Sequence, residues 1–443
     1  MQEKPNILQV IPTLNISGAE QGCFDVANYL TKNGFTSNII TSSGYRIEQL
    51  EKNGSIVNRI PVHSKNPVTM IINIFRILKI VKKNNINIIH ARSRAPAWSC
   101  YFVAKIAKIK FITTFHGTYN FNNKIKKFYN SIMIRSDYVI AISEFIHNEI
   151  KSKYAYSKKN LSVISRGIDI EYLDPIKIDH KKVEKFINDN DIKNDSIKLV
   201  LPGRVSGWKG HNVAIEAMAY LRDKSSNDFE LIFVGPADNL KLKNNLLQKI
   251  DELNLEEYVK FVGPSKEMNL IYSVADIVLS CATDPEAFGR IPIEAQAMGK
   301  MAIASNHGGH IETMVKGLSG FLYSPLNSEK LADSIINAIS SELYLDENYK
   351  TKRRDFILGN FTELKMCKKT MQIYKKVLNI KNINLMFEIK NLRLIEETLT
   401  SSEIAWSEIN QYWVDESNFV WKSEQNISPR LPTIYYEVTK KPR

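Results

Sequence analysis

The stretch "IKLVLPGRVSGWKGHNVAIEAMAYL" (residues 197–221) indicates the fold of this chain most directly. It begins with an apolar run typical of a buried strand, passes through a glycine-bounded loop, and ends in a segment with helical spacing. The apolar positions of that last segment recur three or four residues apart and predict one buried helix face: Val213, Ala214, Ala217, Met218 and Leu221. A buried strand that leads through a loop into an amphipathic helix is the repeating unit of a parallel α/β sheet.

The chain contains this unit many times on both sides of the quoted stretch. Downstream, further apolar runs predict the other strands of the same sheet: "FELIFVG", "VKFVG", "DIVLSCA" and "MAIAS". Upstream, "NILQVIP" (6–12) predicts a first strand, and a helix closed by Asn33 and Gly34 follows it. The inner face of that helix is predicted from Cys23, Val26, Ala27 and Leu30. Five more strand-like runs then alternate with helices: "SNIITSS", "INIIHAR", "FITTFHG", "YVIAIS" and "LSVIS".

Two consecutive α/β domains with doubly wound parallel sheets fit this pattern and the length of 443 residues. A polar stretch between the two sets of strands predicts a linker, in which "DND" (189–191) would be a solvated loop. The predicted parts are a first domain at 1–176, the linker at 177–196, a second domain at 197–365, a C-terminal helix within 366–383 and a tail at 384–443.

The composition is that of an ordinary soluble protein, with 44% hydrophobic and 24% charged residues. The four cysteines have no C-x-x-C spacing, so we expect a reducing compartment and neither a disulfide framework nor a zinc site. The N-terminus lacks the features of a secretory signal. The longest apolar run, "MIINIFRILKIV" (70–81), is interrupted by Arg76 and Lys79, so we expect no membrane span.

The net charge of +13 lies entirely in the first part of the chain. Residues 1–175 hold 24 Lys/Arg and 11 Asp/Glu, whereas the remainder holds 36 of each. From Lys52 to Ser136 there are 16 basic residues and no acidic one. A general excess of lysine does not explain this asymmetry, which predicts a negatively charged partner for the first domain.

The stretch "EAFGRIPIEAQAMG" (286–299) carries the most informative polar residues. Pro292 suits the first turn of a helix and Gly299 suits its end, so Glu286 would lie in the preceding loop and Glu294 in the first turns. Backbone N–H groups at such a helix start favour a phosphate, whereas two carboxylates favour hydroxyl groups. The pattern therefore predicts a ligand that is part phosphate and part polyol.

Other loops after predicted strands add candidate ligand-binding residues, because ligands bind at the carboxyl ends of strands in open α/β sheets. Gly18 begins a helix after the first strand, and His116 ends the strand "FITTF". Arg204 and Lys209 lie five residues apart after a buried strand and could hold a diphosphate. A tight turn, a structural histidine and solvated loop cations are the alternative interpretations of these residues. Neither a dinucleotide fingerprint nor a P-loop is present.

Together these motifs resemble those of the retaining glycosyltransferases of family 4, which have the GT-B fold of two Rossmann-like domains facing a central cleft. The resemblance covers about residues 5–380. It rests on the E-x7-E of "EAFGRIPIE" (286–294) and on "SGAEQG" (17–22), "FHG" (115–117), "GRVSGWKG" (203–210) and "VGP" (234–236). Three further stretches look closer to bacterial enzymes of lipopolysaccharide core and envelope glycan assembly: "HARSRAPAWS" (90–99), "TTFHGTYN" (113–120) and "SRGIDIEYLDP" (165–175).

The resemblance implies a role for each matching residue. Arg204 and Lys209 would stabilise the leaving nucleotide diphosphate. Glu286 would bind hydroxyls of the donor sugar and Glu294 those of the ribose, while His116 would contact the sugar near its anomeric centre. Backbone groups of a further set would hold the sugar and phosphates: Gly18, Phe288, Gly289, Arg290 and Ile291. The C-terminal helix would cross back onto the first domain.

The resemblance also implies that the enzyme uses no covalent nucleophile of its own, no metal and no cofactor. A phosphate oxygen of the leaving group can act as the base, so Glu286 is not assigned as a covalent nucleophile. We expect no metal and no cofactor, with a UDP- or GDP-linked sugar as the donor substrate. Two departures from the family pattern stand out: "SRG" replaces Asn-Gly before Gly167, and "DPEAFG" replaces Glu-Gly-Phe-Gly. Residues 384–443 match nothing in the family, and their role is not predicted.

The basic first domain would bind the acceptor, which we expect to be a lipid-linked envelope glycan at an anionic membrane surface. Basic residues alternate with apolar ones in "KIAKIKF" (105–111) and "NNKIKKFYNSIMIR" (122–135), as in surface-lying segments. We therefore expect a cytoplasmic enzyme that is peripheral on the inner membrane face and binds no nucleic acid. The alternatives are an epimerase or glycan phosphorylase on the same fold, and a basic nucleic-acid-binding protein.

Overall fold

A computed structural model describes residues 4–15, 17–119, 123–154, 156 and 160–379, with residue 345 by its backbone alone. It also describes the backbone of two short strands near the C-terminus. The chain divides into two compact units, 1–378 and 379–443. In the second unit, β14 (Phe419–Lys422) and β15 (Glu437–Lys440) form an antiparallel pair. The rest of the tail lies outside the described residues.

The first unit contains two separate parallel sheets, as the alternating pattern predicts. The first has strand order β3-β2-β1-β4-β5-β6-β7. Its strands are β1 (Ile7–Val10), β2 (Ser37–Thr41), β3 (Ile56–Arg59), β4 (Ile88–Ala91), β5 (Lys110–Phe115), β6 (Tyr138–Ala141) and β7 (Leu161–Val163). Since β1 pairs with β2 on one side and with β4 on the other, the strand order reverses between β1 and β4. Ligands of doubly wound sheets bind at such a reversal.

The second sheet has the order β10-β9-β8-β11-β12-β13. Its strands are β8 (Ile197–Pro202), β9 (Phe229–Val234), β10 (Val259–Gly263), β11 (Ile277–Ser280), β12 (Met301–Ser305) and β13 (Gly320–Tyr323). The order reverses between β8 and β11, which are the strands that precede the two most informative loops of the sequence. The prediction of two Rossmann-like domains with parallel doubly wound sheets is confirmed.

Helices cover both sheets. Those of the first domain are α1 (Gly18–Lys32), α2 (Ile47–Lys52), α3 (Pro67–Lys83), α4 (Arg94–Ala107), α5 (Lys124–Asn130) and α6 (Glu144–Tyr154). Those that follow are α7 (His180–Asp189), α8 (His211–Lys224), α9 (Leu240–Glu252), α10 (Met268–Val274), α11 (Arg290–Ala297), α12 (His310–Thr313), α13 (Ser328–Ile339), α14 (Glu342–Leu345), α15 (Asn348–Asn360) and α16 (Glu363–Val377). Single 3-10 turns occur at Ser131–Ile134 and Pro175–Lys177.

The predicted inner faces of two helices are confirmed. In α1 the positions Cys23, Val26, Ala27 and Leu30 are buried, and the helix ends at Asn33. In α8 all five predicted core positions are buried against the second sheet. Their burial removes apolar surface from water, at about 25 cal/mol per Å², and fixes each helix over the strand that precedes it. The loop between strand and helix is thereby held at the carboxyl edge of each sheet.

The segment between the sheets is not only loop. Within 177–196, α7 places Val183, Phe186 and Ile187 against the core of the protein, while its other face is polar. The prediction that "DND" (189–191) is a solvated loop is wrong for Asp189, which ends α7. Val183, Phe186 and Ile187 recur at i, i+3 and i+4, which is helical spacing, but the polar composition of the stretch was given more weight and suggested a linker.

The last described helix, α16, begins at Glu363, before the predicted range of 366–383, because Thr362 caps it by accepting from the Lys365 N–H. It packs on α1 of the first domain and contributes Met366, Met371 and Tyr374 to that core. The Tyr374 hydroxyl lies 2.7 Å from His90 Nδ1. Residues 380–383 of the predicted helical segment lie outside the described residues. Within the described ranges, no helix combines the length and apolarity needed to cross a bilayer.

Candidate functional site

The two domains meet along the carboxyl edges of their sheets. Ser143 Oγ, before α6 of the first domain, donates to the Ala287 carbonyl at 2.6 Å. The Glu312 carboxylate of the second domain accepts from the backbone N–H groups of Glu144 and Phe145, each at 2.6 Å. These contacts satisfy N–H groups at the start of α6, which have no partner within the helix. The loops with the predicted site residues therefore face each other across a narrow cleft.

Lys209 and Glu286, predicted in separate loops, form an ion pair through Lys209 Nζ and Glu286 Oε1. Lys209 follows β8 and Glu286 follows β11, the two strands at the reversal of the second sheet. Their side chains are 19% and 16% exposed, so the pair is largely withdrawn from water. Lys209 Nζ also lies 4.4 Å from the centroid of the Trp208 ring. A cation held in this way can face a phosphate without a large loss of side-chain entropy.

The loop after β8 requires glycine at its end. Gly210 has φ +75°, and a Cβ there would lie 1.8 Å from the carbonyl oxygen of Cys281. Only a residue without a side chain lets the loop pack this closely against the end of β11. This close packing brings Lys209 to Glu286, so the last glycine of "GRVSGWKG" is needed for the geometry of the site.

Arg204, on the same loop after β8, has a side chain that is 69% exposed. Its Nε is 4.0 Å from Asp238 Oδ2, and Asp238 is itself exposed. Such an exposed pair contributes at most about 1 kcal/mol. The Arg204 guanidinium is therefore weakly held and can turn towards an anion in the cleft.

Glu294 lies on α11 and is fixed by two donors. The Tyr272 hydroxyl donates to Oε2 at 2.6 Å, and Arg290 Nη2 pairs with Oε1 at 2.7 Å. A carboxylate has about four lone-pair directions, so two remain for hydroxyl groups. Burial and the Glu294 charge together raise the pKa of Tyr272 well above its ordinary value, so the phenol stays a donor.

The start of α11 is built as the sequence predicts. Gly289 precedes the helix with φ +90°, Pro292 lies in its first turn, and Gly299 follows its end. Phe288 is buried and packs against Phe361 at 5.8 Å between ring centroids. Its contribution to a ligand would come from its backbone. A Cβ on Gly18 of the first domain would lie 3.7 Å from Arg290 Cδ, so these two predicted residues meet across the cleft.

His116 lies against the buried Arg166, which belongs to the "SRG" (165–167) at the start of "SRGIDIEYLDP" and had no predicted role. Arg166 Nη2 is hydrogen-bonded to His116 Nδ1. A guanidinium has only donors, so Nδ1 is the acceptor and the proton of the neutral ring lies on Nε2. Burial, then Arg166 and Arg92, lower the pKa of His116 well below its ordinary value. His116 is therefore a neutral hydrogen-bond donor at Nε2 and cannot accept a proton there.

Asp25 on α1 is a buried carboxylate close to Arg166 and Arg290. Its side chain accepts a hydrogen bond from Gln21 Nε2 at 2.5 Å. Burial and the neighbouring Glu363 raise its pKa to about 7, although Arg290 and Arg166 oppose the shift. The folded protein thus binds a proton that the unfolded chain releases near pH 4. The contribution of the protonated Asp25 to the free energy of unfolding therefore falls as pH rises from about 4 to about 7.

We expect Asp25→Asn to stabilise the protein at pH 8 by on the order of 2–3 kcal/mol more than at pH 5, because asparagine keeps the acceptor without the buried charge. Unfolding midpoints of both proteins across this pH range measure the difference. A stability difference that does not change with pH would contradict the assignment. Asp251→Asn, at an exposed position on α9, is the control.

Among the described residues, no group of three or more His, Cys, Asp or Glu side chains is arranged to hold a metal ion. Metal independence stays a prediction. Sequence reasoning missed Arg166, Tyr272 and Glu312, which orient predicted residues or join the domains. It also missed Gly309, whose N–H donates to the Glu286 carbonyl at 2.7 Å. The "SRG" departure was the one available signal for Arg166.

Comparisons with known families agree with this geometry. Residues 182–356 match the family described as Glycosyl transferases group 1, and residues 16–172 match Glycosyltransferase Family 4. These two ranges contain every predicted site residue. Residues 365–438 match the family described as Group 4 capsule polysaccharide lipoprotein gfcB, YjbF.

Similar proteins include several glycosyltransferases. The structure of a glycosyltransferase from Rickettsia africae is 35% identical, with a TM-score of 0.78 over 85% of this chain and all of that one. Anabaena HepE in complex with UDP-glucose is 21% identical, with a TM-score of 0.72 over 85% of this chain and all of that one. A lipopolysaccharide 1,2-N-acetylglucosaminetransferase of Salmonella typhimurium is 30% identical over 36% of this chain and 42% of its own length. The chain therefore belongs to the group 1 / family 4 glycosyltransferases with the GT-B fold.

Proposed function

We propose that this glycosyltransferase moves a sugar from a UDP- or GDP-linked donor, with retention of the anomeric configuration, to a lipid-linked glycan of the cell envelope. The observation that carries the proposal is the Lys209–Glu286 pair at the reversal of the second sheet, facing the first domain. This pair places a cation that can bind a phosphate beside a carboxylate that can bind hydroxyl groups. A nucleotide sugar presents phosphate and hydroxyl groups on neighbouring atoms.

The reaction needs no protein nucleophile in this arrangement. The acceptor hydroxyl oxygen forms the new bond to the anomeric carbon, and the bond from that carbon to the diphosphate oxygen breaks. The hydroxyl proton passes to the leaving phosphate oxygen. Lys209 and Arg204 stabilise the negative charge that develops there, while Glu286, already paired with Lys209, binds sugar hydroxyls. His116 donates a hydrogen bond from Nε2, and no step is assigned to a metal or other cofactor.

The proposed acceptor class is supported by the names of similar proteins. One relative acts on lipopolysaccharide, and the family matched by residues 365–438 is named for a capsule polysaccharide. Both are polymers of the bacterial envelope. A cytoplasmic enzyme that builds such a glycan on a lipid carrier works at the membrane surface.

A surface of the first domain suits that membrane. On α3 an apolar stripe is 43–68% exposed and consists of Val68, Ile71, Ile72 and Phe75. Basic residues continue the exposed side of the helix: Arg76, Lys79, Lys82 and Lys83. Exposed apolar residues of α4 and α5 extend this surface, since α3 packs on α4 and α4 stacks Trp98 on Phe128. We propose that this surface, the α3–α5 face, docks on anionic lipid.

We expect the triple variant Lys79→Gln, Lys82→Gln and Lys83→Gln to bind phosphatidylglycerol vesicles on the order of 100-fold more weakly, since each basic residue near an anionic surface contributes about 1 kcal/mol. Vesicle co-sedimentation at fixed ionic strength measures this. The matched control replaces Lys241, Lys266 and Lys352 of the second domain. Equal loss in both triples, or no preference for anionic over zwitterionic vesicles, would contradict the α3–α5 face as the docking surface.

The function is tested by offering UDP-, GDP- and ADP-sugars with and without membrane glycolipid extract and analysing the products. We expect one donor to be consumed only with extract, and the new glycosidic bond to keep the anomeric configuration of the donor. Donor conversion without an acceptor would indicate an epimerase. Dependence on inorganic phosphate would indicate a phosphorylase. Binding of nucleic acid without turnover of any sugar nucleotide would favour the remaining alternative.

A further inference from the structure

A cavity of about 310 Å³ opens in the first domain, at the reversal between β1 and β4. Its walls come from the segments that follow β1, β4 and β5, and include Thr13, Glu20, Arg92, Arg94, His116 and Tyr119. It lies on the opposite domain from the Lys209–Glu286 pair. His116, which the family resemblance assigns to the transferred sugar, forms part of its wall. The cavity therefore lies where an acceptor could approach the anomeric carbon.

Two arginines line this cavity, and in the described ranges neither has a carboxylate within 4 Å. Arg92 is only 4% exposed, and its Nε and Nη2 donate to Gln9 Oε1 at 2.9 and 2.6 Å. Arg94 Nη1 donates to Asn130 Oδ1 at 2.8 Å, and its guanidinium lies 4.3 Å from the Tyr119 ring centroid. All of these partners are neutral. Buried charges in proteins are normally paired with an opposite charge, yet the buried Arg92 and the partly buried Arg94 are each held by neutral groups.

Among the described residues of the cavity wall, the carboxylate is that of Glu20, and it is already engaged. Glu20 Oε1 accepts from Thr13 Oγ1, and Oε2 accepts from the Ser17 N–H at 2.7 Å, which closes the capping box of α1. Burial would raise the pKa of Glu20, but these hydrogen bonds bring it below its ordinary value, so it is ionised. One such charge offsets only half of the charge of Arg92 and Arg94. The start of α1 adds N–H groups on the same wall.

We propose that the acceptor carries an anionic group, a phosphate monoester or a carboxylate on its sugar, which binds between Arg92 and Arg94 in this cavity. The inference rests on the proposed function, because it names the acceptor class of that site. Guanidinium groups bind both kinds of anion through paired N–H donors. Neutral side chains hold both arginines in place, so little ordering is needed when the anion arrives. The donor diphosphate is assigned to Lys209 and Arg204 of the other domain.

The test titrates glucose 6-phosphate, glucuronate and methyl glucoside into the full-length protein by calorimetry, with saturating UDP or GDP, whichever the protein binds, and again without nucleotide. The saturating nucleotide fills the donor site, so a sugar phosphate cannot bind in place of the diphosphate. We expect at least one anionic sugar to bind about 10- to 100-fold more tightly than methyl glucoside. The phosphate and carboxylate arms show which of the two anions the cavity prefers.

Arg94→Gln is expected to remove this preference, whereas Arg59→Gln on an exposed strand position is expected to keep it. Arg92→Lys, which keeps a buried charge but loses the paired geometry, should weaken it in part. Equal binding of neutral and anionic sugars, or a preference that survives in Arg94→Gln, would overturn the proposal. Failure of both UDP and GDP to bind would contradict the proposed function, while an Arg94-dependent preference in the titration without nucleotide would still support the anion site.

Discussion

Replacement of Lys209 by methionine is expected to lower kcat by about 100- to 1,000-fold, the effect of removing one donor that stabilises charge in a transition state. Methionine keeps most of the length and apolar contact of the lysine stem, including its position beside Trp208. The variant loses the cation that faces the leaving diphosphate and leaves Glu286 without its ion pair. Turnover of the donor identified from the nucleotide-sugar panel, with membrane extract as the acceptor source, measures the loss.

The contributions of Lys209 and Glu286 to kcat can be separated by also replacing Glu286. Glu286→Gln should lower kcat as well, and the double variant should lose less than the two single losses combined, because the residues are in contact. Lys266→Met, at an exposed loop position of the same domain, controls for the loss of a positive charge. A Lys209→Met enzyme that keeps kcat and changes only KM would show that this lysine binds the ground state and transition state equally. That result would remove the electrostatic role proposed for Lys209.

Much of the fold could be predicted because each element carries its own periodic signal. The strands are continuous apolar runs, and α1 and α8 have apolar residues at three- and four-residue spacing. The helix α7 was missed because the polar composition of 177–196 outweighed the helical spacing of its three apolar residues. The start of α16 was placed too late because a Thr cap followed by polar residues is a weak signal. The order in which the strands pair is not visible in the sequence. It follows from the rule that the strand order of a doubly wound sheet reverses beside its first strand.

The candidate site was predictable where residues follow strands directly. Lys209 and Glu286 lie after β8 and β11, and parallel strands bring their carboxyl ends to one edge. The contacts of Glu312 with α6 join residues more than 160 positions apart, and no local sequence pattern predicts them. The same holds for Arg166, which reaches His116 from the loop after β7. Its space exists because Gly22 of α1 has no side chain; a Cβ there would lie 2.0 Å from Arg166 Nη1.

Arg166→Met is expected to lower kcat by about 10-fold at pH 8, since one hydrogen bond that orients the catalytic donor is lost, worth about 0.5–1.5 kcal/mol. Arg166 is 6% exposed, and its pKa, lowered to about 9 by burial and by Arg92, still leaves it charged at neutral pH. Without it, His116 Nδ1 has no fixed donor, and the ring can place its proton on either nitrogen. Arg166 Nη1 donates to Met366 Sδ at 3.9 Å, so a methionine at position 166 would lie beside the thioether of Met366.

The same variant is expected to acquire a pH dependence that a purely structural role would not produce. With Arg166 present, the pKa of His116 lies well below 6.5 and the ring is neutral across the working range. In the variant, burial and Arg92 still lower the pKa of His116, but without the Arg166 guanidinium this pKa lies higher than in the wild type, so the ring becomes positive at a less acidic pH. A positive ring beside an anomeric carbon that gains positive charge in the transition state is repelled, so kcat should fall by about a further 10-fold one unit below that pKa.

Three comparisons separate this account from simple loss of structure. Arg166→Lys keeps a cationic donor beside Nδ1 and should restore part of the rate and the flat pH profile. In a His116→Ala background, Arg166→Met should cost little more, because the histidine through which it acts is gone. Nitrogen NMR of the ring should show the Nε2–H tautomer in the wild type and a mixture in the variant. Parallel pH profiles for wild type and Arg166→Met would instead mean that Arg166 supports the cleft without setting the proton on His116.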